Sequence, residues 1–286
     1  MKEKAVLFGR NRSIVGIIST SESKSNNGKL PSVILLNAGM LHRVGPNRLN
    51  VKIARALVKN GLMVLRFDFS GLGDTATRQD TLSFEEGNVQ ELKDAMDFLG
   101  SKSFIIIGIC SGGRVAWETA NMDSRIAGII FVESMYIRTF YYHINRMLNL
   151  QKWYRLLSGQ SYMWHLLKQQ VLNILNKPSL ENLSASTGLV DLGSSLPGTD
   201  SYRLTGKELR SSAKCGIQLL FVYRDGNETR YNYKIKRSDE KIIALELPEN
   251  IDVEFVKEAD HTFTLLSSQY LLLNIIDNWF RHRIYR

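Results

Sequence analysis

Phe104-Ile-Ile-Ile-Gly108-Ile-Cys110-Ser-Gly112-Gly113 is the stretch that decides the fold. Phe104 to Ile107 is a short apolar run of buried-strand type. Gly108 follows at once, and residues 114–121 carry a helical pattern. A thiol therefore stands between a strand and a helix, flanked by small residues at the spacing small-x-nucleophile-x-small. Chemistry accounts for each residue type. A nucleophile on so tight a turn needs a strained backbone. Neighbours without Cβ let strand and helix pass closely. The helix N-terminus aims its partial positive charge and free N–H groups at the sulfur, which favours thiolate over thiol. A buried structural cysteine in a glycine-tight turn is the competing reading of these ten residues alone.

Working outward, residues 4–20 alternate loosely and read as a strand pair, and Ser21 to Lys29 is a polar loop. Val33-Ile-Leu-Leu and Leu62 to Phe67 read as strands. Asn47 to Lys59 reads as a helix stopped by Gly61, and Phe84 to Leu99 as a helix with Val89, Leu92, Ala95, Met96 and Leu99 on one side. Ile126 to Val132 is another strand. Short apolar strands alternating with amphipathic helices mean βαβ units and a mostly parallel sheet, with its site at the carboxyl ends of the strands. After Val132 the rhythm breaks. No buried-strand run occurs from Ser134 to Leu209, and Tyr136 to Lys177 reads as helices. Strands resume at Ile217-Gln-Leu-Leu-Phe-Val-Tyr and Val253-Glu-Phe-Val, and a helix from Ser267 to Arg281 closes the chain. The expected division is an α/β core over 1–133 and 211–286, interrupted by a helical cap over 134–210.

Other parts needed by a thiol nucleophile follow in order. His261, in Asp260-His-Thr-Phe, lies after the late strand and before the closing helix, where this architecture places a general base. Asn37-Ala-Gly39-Met40 follows the strand at 33–36. Gly39 and Met40 are both candidates to donate a backbone N–H to an oxyanion hole, the other N–H coming from Ser111. Arg66-Phe-Asp68-Phe-Ser-Gly71-Leu-Gly73-Asp74 reads as a structural loop beside the site. Asp68 is expected to bond nearby backbone N–H groups rather than to do acid–base work.

These segments resemble α/β-hydrolases. Within that superfamily the chain is similar to the exosortase A system-associated hydrolase type 1 group. The resemblance rests on His42-Arg43-Val-Gly45-Pro-Asn-Arg48, the cysteine elbow, Tyr141-Tyr-His-Ile-Asn-Arg-Met-Leu with Trp153-Tyr-Arg-Leu-Leu-Ser-Gly159, and Asp260-His261-Thr-Phe263. It implies an α/β-hydrolase fold with a cap and a Cys-His-acid triad. The group's Gly-Asn-Asp segment after the seventh strand is matched by Gly226-Asn227-Glu228, so the resemblance puts Glu228 first as the triad acid. Asp225, two residues past the strand end, comes second. Glu133, at the end of the strand 126–132, follows closely, since some α/β-hydrolases take the acid from there.

The expected activity is acyl transfer through an acyl-Cys110 thioester, either thioesterase-like hydrolysis or cyclising release. A thioester keeps its carbonyl electrophilic and its α-carbon acidic, which suits both. A carboxylester or dienelactone-type lactone hydrolase shares the triad, and a non-catalytic binding or scaffold protein shares the fold. Tyr136, Tyr141 and Trp153 in the cap are candidates to line an acyl site, against ordinary packing. The chemistry needs no cofactor and no metal, and neither cysteine has zinc-ligand spacing to a histidine. The net charge of +9 suits an acidic carrier protein or the anionic tail of coenzyme A. No basic stripe interleaved with aromatics points to nucleic acid. No run approaches the ~20 apolar residues of a membrane span, and the charged start lacks a secretory signal, so the expected location is the cytoplasm. Two cysteines make no disulfide framework, and Cys215 reads as structural.

Overall fold

The computed structural model describes residues 1–22, 30–137, 203–204, 208, 211, 215–224 and 248–285. Residues 1–139 and 200–286 make one compact unit, and residues 140–199 make another. The described residues belong to the first. The expected cap, 134–210, lies mostly outside them.

Strands β1 (Lys2–Phe8) and β2 (Ile14–Thr20) form an antiparallel pair. They are followed by β3 (Ser32–Leu35), helix α1 (Leu49–Lys59), β4 (Val64–Phe67), α2 (Phe84–Leu99), β5 (Phe104–Ile109), α3 (Gly112–Ala120) and β6 (Ile126–Val132). After the two-residue strands β7 (Tyr136–Ile137) and β8 (Arg203–Leu204) come β9 (Gln218–Arg224), β10 (Ile251–Val256) and a helix we label α4 (Leu266–Arg283). Eight strands form one sheet in the order β1-β2-β4-β3-β5-β6-β9-β10. β2 meets β4 antiparallel, and every pairing from β4 to β10 is parallel. β7 and β8 pair in parallel as a separate small sheet, a feature absent from the sequence reading because two residues carry no periodicity.

The central strands are buried on both faces, which is why they read as continuous apolar runs. Along β5, Phe104 and Ile106 join the core beneath α2 and α3, while Ile105, Ile107 and Ile109 join the core beneath α1 and α4. α2 starts at a capping box: Ser83 Oγ accepts from the Glu86 N–H, and Glu86 returns a bond to the Ser83 N–H at 3.0 Å. It ends at Gly100, whose φ of 63° suits a residue without Cβ. α3 begins two residues earlier than the sequence pattern predicts. Gly112 and Gly113 are helical rather than part of the turn.

The strand order runs outward in both directions from β3, with β4 on one side and β5 on the other. Open α/β sheets carry ligands in the crevice at such a switch point, outside the carboxyl ends of the strands. Here the crevice is bounded by Asn37 to Met40 after β3 and by Cys110 after β5. Its closeness depends on glycine. A Cβ on Gly108 would lie 2.3 Å from the Gly113 backbone nitrogen, and one on Gly112 would lie 2.7 Å from the Asn37 carbonyl oxygen. Gly108→Ala is therefore expected to destabilise the fold by about 1–3 kcal/mol, as overpacking does. The check is a lower urea midpoint at unchanged slope; an unchanged midpoint would show that the turn tolerates a methyl group.

Candidate active site

Cys110 follows β5 directly and has φ 52°, a left-handed conformation rare outside glycine. Its N–H bonds the Val132 carbonyl at 3.0 Å and its own carbonyl accepts from the Ser134 hydroxyl, so the strained turn is held from both sides. The side chain is half-buried. A hydrogen bond with His261 draws the Cys110 thiol below its ordinary range, against burial, which pushes it up. The neighbouring Ser111 N–H lowers it further.

His261 is raised to about 10. The hydrogen bond with Cys110 is the largest cause, Glu133 comes next, and burial opposes both. Its Nδ1 lies 3.1 Å from Glu133 Oε2, which leaves Nε2 for the thiol. Glu133 follows β6 and is itself left-handed, with φ 48°. Its side chain is 1% exposed, whereas that of His261 is 45% exposed. An isolated carboxylate so deeply buried would be costly. The Arg224 N–H on β9 donates to its Oε1, and Arg224 Nε lies 3.4 Å from its Oε2. The parallel register that pairs Val132 with Val222 puts Arg224 there. Among the described residues, Glu133 is the carboxylate on the imidazole. Glu228 and Asp225 lie outside the described residues, as do Tyr141, Trp153 and the side chain of Tyr136.

The loop that carries His261 is built by its neighbours. Asp260 accepts from the Thr264 N–H at 2.6 Å and from the Thr264 and Thr262 hydroxyls at 2.7 and 2.8 Å. The Thr264 backbone bond is the largest cause of its carboxyl falling to about 2. Phe263 is fully buried and anchors the turn, while Gln269 Nε2 and Asn47 Nδ2 bond the carbonyls of Phe263 and Thr262. Asp260 and Asn47 are positioning residues that the sequence reading names only within motifs, without a role of their own. An Asp two and four residues before Thr is the signal that could have marked the turn.

On the opposite side, the Gly39 N–H bonds Ser111 Oγ at 2.8 Å. The expected oxyanion donors Gly39 and Ser111 are thus adjacent, and the Ser111 hydroxyl occupies one of the two N–H groups in this conformation. Met40 sits exposed at the turn beside Gly39. The loop is shaped by buried Asn37, whose Nδ2 bonds the Leu41 carbonyl at 2.7 Å and Asp68 Oδ1 at 3.0 Å. Asp68 is fully buried and accepts from the backbone N–H groups of Arg43 and Asp74 and from the Arg43 guanidinium. It is a structural hub, as its glycine-rich setting predicts. Gly73 is obligatory beside it, because a Cβ would lie 2.3 Å from Asp68 Oδ2 at φ 51°. His42, Asp68 and Asp74 bring three possible metal ligands together. The Arg43 guanidinium already bonds both carboxylates, at 2.7 Å for Asp74, and supplies the positive charge that a metal would bring.

No protein-family model matches the chain, and no curated protein matches it in sequence. Solved structures do match in fold. The α/β hydrolase GrgF from Penicillium sp. sh18 is 14% identical, with a TM-score of 0.54 over 99% of each chain. The meta-cleavage product hydrolase CumD from Pseudomonas fluorescens IP01, solved as an S103A mutant with acetates, is 14% identical, with a TM-score of 0.55 over 98% of this chain and 97% of that one. XC6422 from Xanthomonas campestris, described as an α/β serine hydrolase without a lid, is 13% identical, with a TM-score of 0.53 over 100% of this chain and 96% of that one. The likeness and the sheet order agree: the chain has the α/β-hydrolase fold.

Glu133→Gln keeps the shape and removes the charge. In this variant the His261 imidazolium, raised to about 10 by Cys110 first and Glu133 second, is expected to titrate lower. Nuclear magnetic resonance of the ring protons reads this directly. A histidine titration unmoved by the substitution would detach Glu133 from the site.

Proposed function

We propose that this protein is a cysteine-nucleophile acyl-transfer enzyme, acting through an acyl-Cys110 thioester with His261 as base and Glu133 as the acid that orients it. The observation that carries the reading is the convergence of Cys110, His261 and Glu133: the imidazole lies 3.1 Å from a fully buried carboxylate and lowers the half-buried thiol beside it. The raised imidazole and lowered thiol are the signature of a thiolate–imidazolium pair, the reactive form of cysteine.

The steps follow from these atoms. The Cys110 S–H proton passes to His261 Nε2. The thiolate attacks the acyl carbonyl carbon, and the carbonyl π pair moves onto oxygen. Backbone N–H groups of Ser111 and Gly39 face the oxyanion, with the Ser111 hydroxyl swinging away from Gly39 to free its N–H. Removing one such donor costs about 2.7–4 kcal/mol in comparable sites. Collapse breaks the bond to the leaving group, which departs with the proton from His261. Water then gives a proton to His261, its oxygen attacks the thioester, and Cys110 leaves as thiolate. An internal nucleophile in place of water gives cyclising release.

Acyl thioesters on an acidic carrier protein or coenzyme A are the substrates we favour, because the chain carries net +9. The resemblance of the cysteine elbow and of Asp260–Phe263 to the exosortase A-associated type 1 hydrolases supports the same nucleophile and base. A carboxylester or lactone hydrolase is the second reading. It is favoured by fold neighbours that include an esterase domain from a Rhodothermus marinus protein, 16% identical with a TM-score of 0.51.

The test is intact-mass trapping with a panel of acyl thioesters and activated esters. An acyl adduct is expected on the native protein and not on Cys110→Ala, with turnover in Glu133→Gln lower by about 10²–10⁴-fold. Faster trapping by esters than by thioesters would favour the second reading. A panel that never labels Cys110 would remove the nucleophile.

A further inference from the structure

A cavity of about 240 Å³ opens beside the oxyanion loop. Gly39 and Met40 from the loop after β3, with Ser111 and Gly112, which directly follow Cys110 in the chain, line one side, and Phe69, Leu72, Phe84 and Val115 supply apolar wall. Two polar features interrupt that wall. The first is Arg114, which bonds Glu85 and Glu118 at 2.7 Å each, so its own charge is fully compensated and the three groups together carry one net negative charge. The second is Asn88 on α2. It is only 5% exposed and lines the cavity, yet its amide has no hydrogen-bond partner among the described residues. Nor is that amide sealed from solvent, as the orphaned polar atoms elsewhere in the core are. Solvent in the cavity can satisfy this amide, but an apolar group seated there would strip that solvent and leave the amide unpaired, which is costly.

We propose that this cavity is the acyl subsite, and that Asn88 selects a short, neutral acyl group carrying one hydroxyl, carbonyl or amide. The inference rests on Cys110 being the nucleophile. Size sets the first limit, since the volume falls below the ~300–1,000 Å³ typical of drug-sized ligands. Charge sets the second. The net negative Arg114 cluster offers no free cation to a second carboxylate, so a succinyl-type acyl group is disfavoured. Chemistry sets the third. A site built to bond a polar group discriminates strongly against the analogue that lacks it, because its own amide is then left unpaired.

The experiment compares N-acetylcysteamine thioesters of β-hydroxybutyrate, butyrate and succinate on the native protein and on Asn88→Leu, which is nearly equal in size and apolar. The native protein is expected to prefer β-hydroxybutyryl over butyryl by at least about tenfold in kcat/KM, and over succinyl as well. Asn88→Leu is expected to erase most of the first preference. In parallel, β-hydroxybutyramide is expected to protect Cys110 from iodoacetamide in the native protein and to lose that protection in Asn88→Leu. Should Asn88→Leu fold poorly, Asn88→Ser serves, with the same expected loss. An unchanged preference ratio with unchanged protection, or succinyl as the best substrate, overturns the subsite. Protection by β-hydroxybutyramide without any acylation of Cys110 would instead support the subsite and remove the nucleophile.

Discussion

The site depends on one backbone constraint. At the ends of two adjacent parallel strands the chain turns left-handed, at Cys110 after β5 and at Glu133 after β6. Each such conformation costs about 1–3 kcal/mol when a side chain is present. The two turns stand side by side, since Ile109 pairs with Val132, and they are tied by the Cys110 N–H to the Val132 carbonyl and by the Ser134 hydroxyl to the Cys110 carbonyl. An imidazole arriving from the β10–α4 loop can then touch a thiol and a carboxylate at once. The rest of the fold holds this coincidence in place. Gly108, Gly112 and Gly113 let α3 close down on β5, Asp68 and Arg43 fix the loop after β3, and Phe263 fixes the loop after β10.

Burial divides the work along the series. Glu133 sits in the protein interior, where its charge is compensated by the Arg224 N–H, the Arg224 side chain and the imidazole. His261 is nearly half exposed and Cys110 is half-buried, so the end that must meet a ligand is the accessible one. Hydrogen bonds to ionised groups strengthen as water is excluded, so the buried carboxylate anchors the series better than a surface one could.

Much of this was legible in the residues. The alternation of strand and helix gave the parallel sheet, and the elbow and the Asp-His-Thr-Phe segment placed Cys110 and His261, because local spacing encodes a turn. Cross-strand register is not local. That Val132 pairs with Val222, bringing Glu133 beside Arg224, is set by how β6 and β9 align. The ranking of three carboxylates therefore had no basis in spacing. The same holds for Asn88. It precedes Val89 on α2 and is polar, so a search for apolar periodicity passes over it, as it passes over buried Glu91, which bonds the Ser70 N–H at 2.9 Å. The elbow glycines read as turn and proved helical, because residues without Cβ satisfy both patterns.

The central claim is that an imidazole shares the Cys110 proton. The most direct measurement is a pH titration of the thiolate's ultraviolet absorbance, taken as the difference between the native protein and Cys110→Ser. The expected result is a thiolate already present below the ordinary thiol range, lost when His261→Ala is introduced. A sulfur that ionises only where an ordinary free thiol does, and is indifferent to His261, would contradict it.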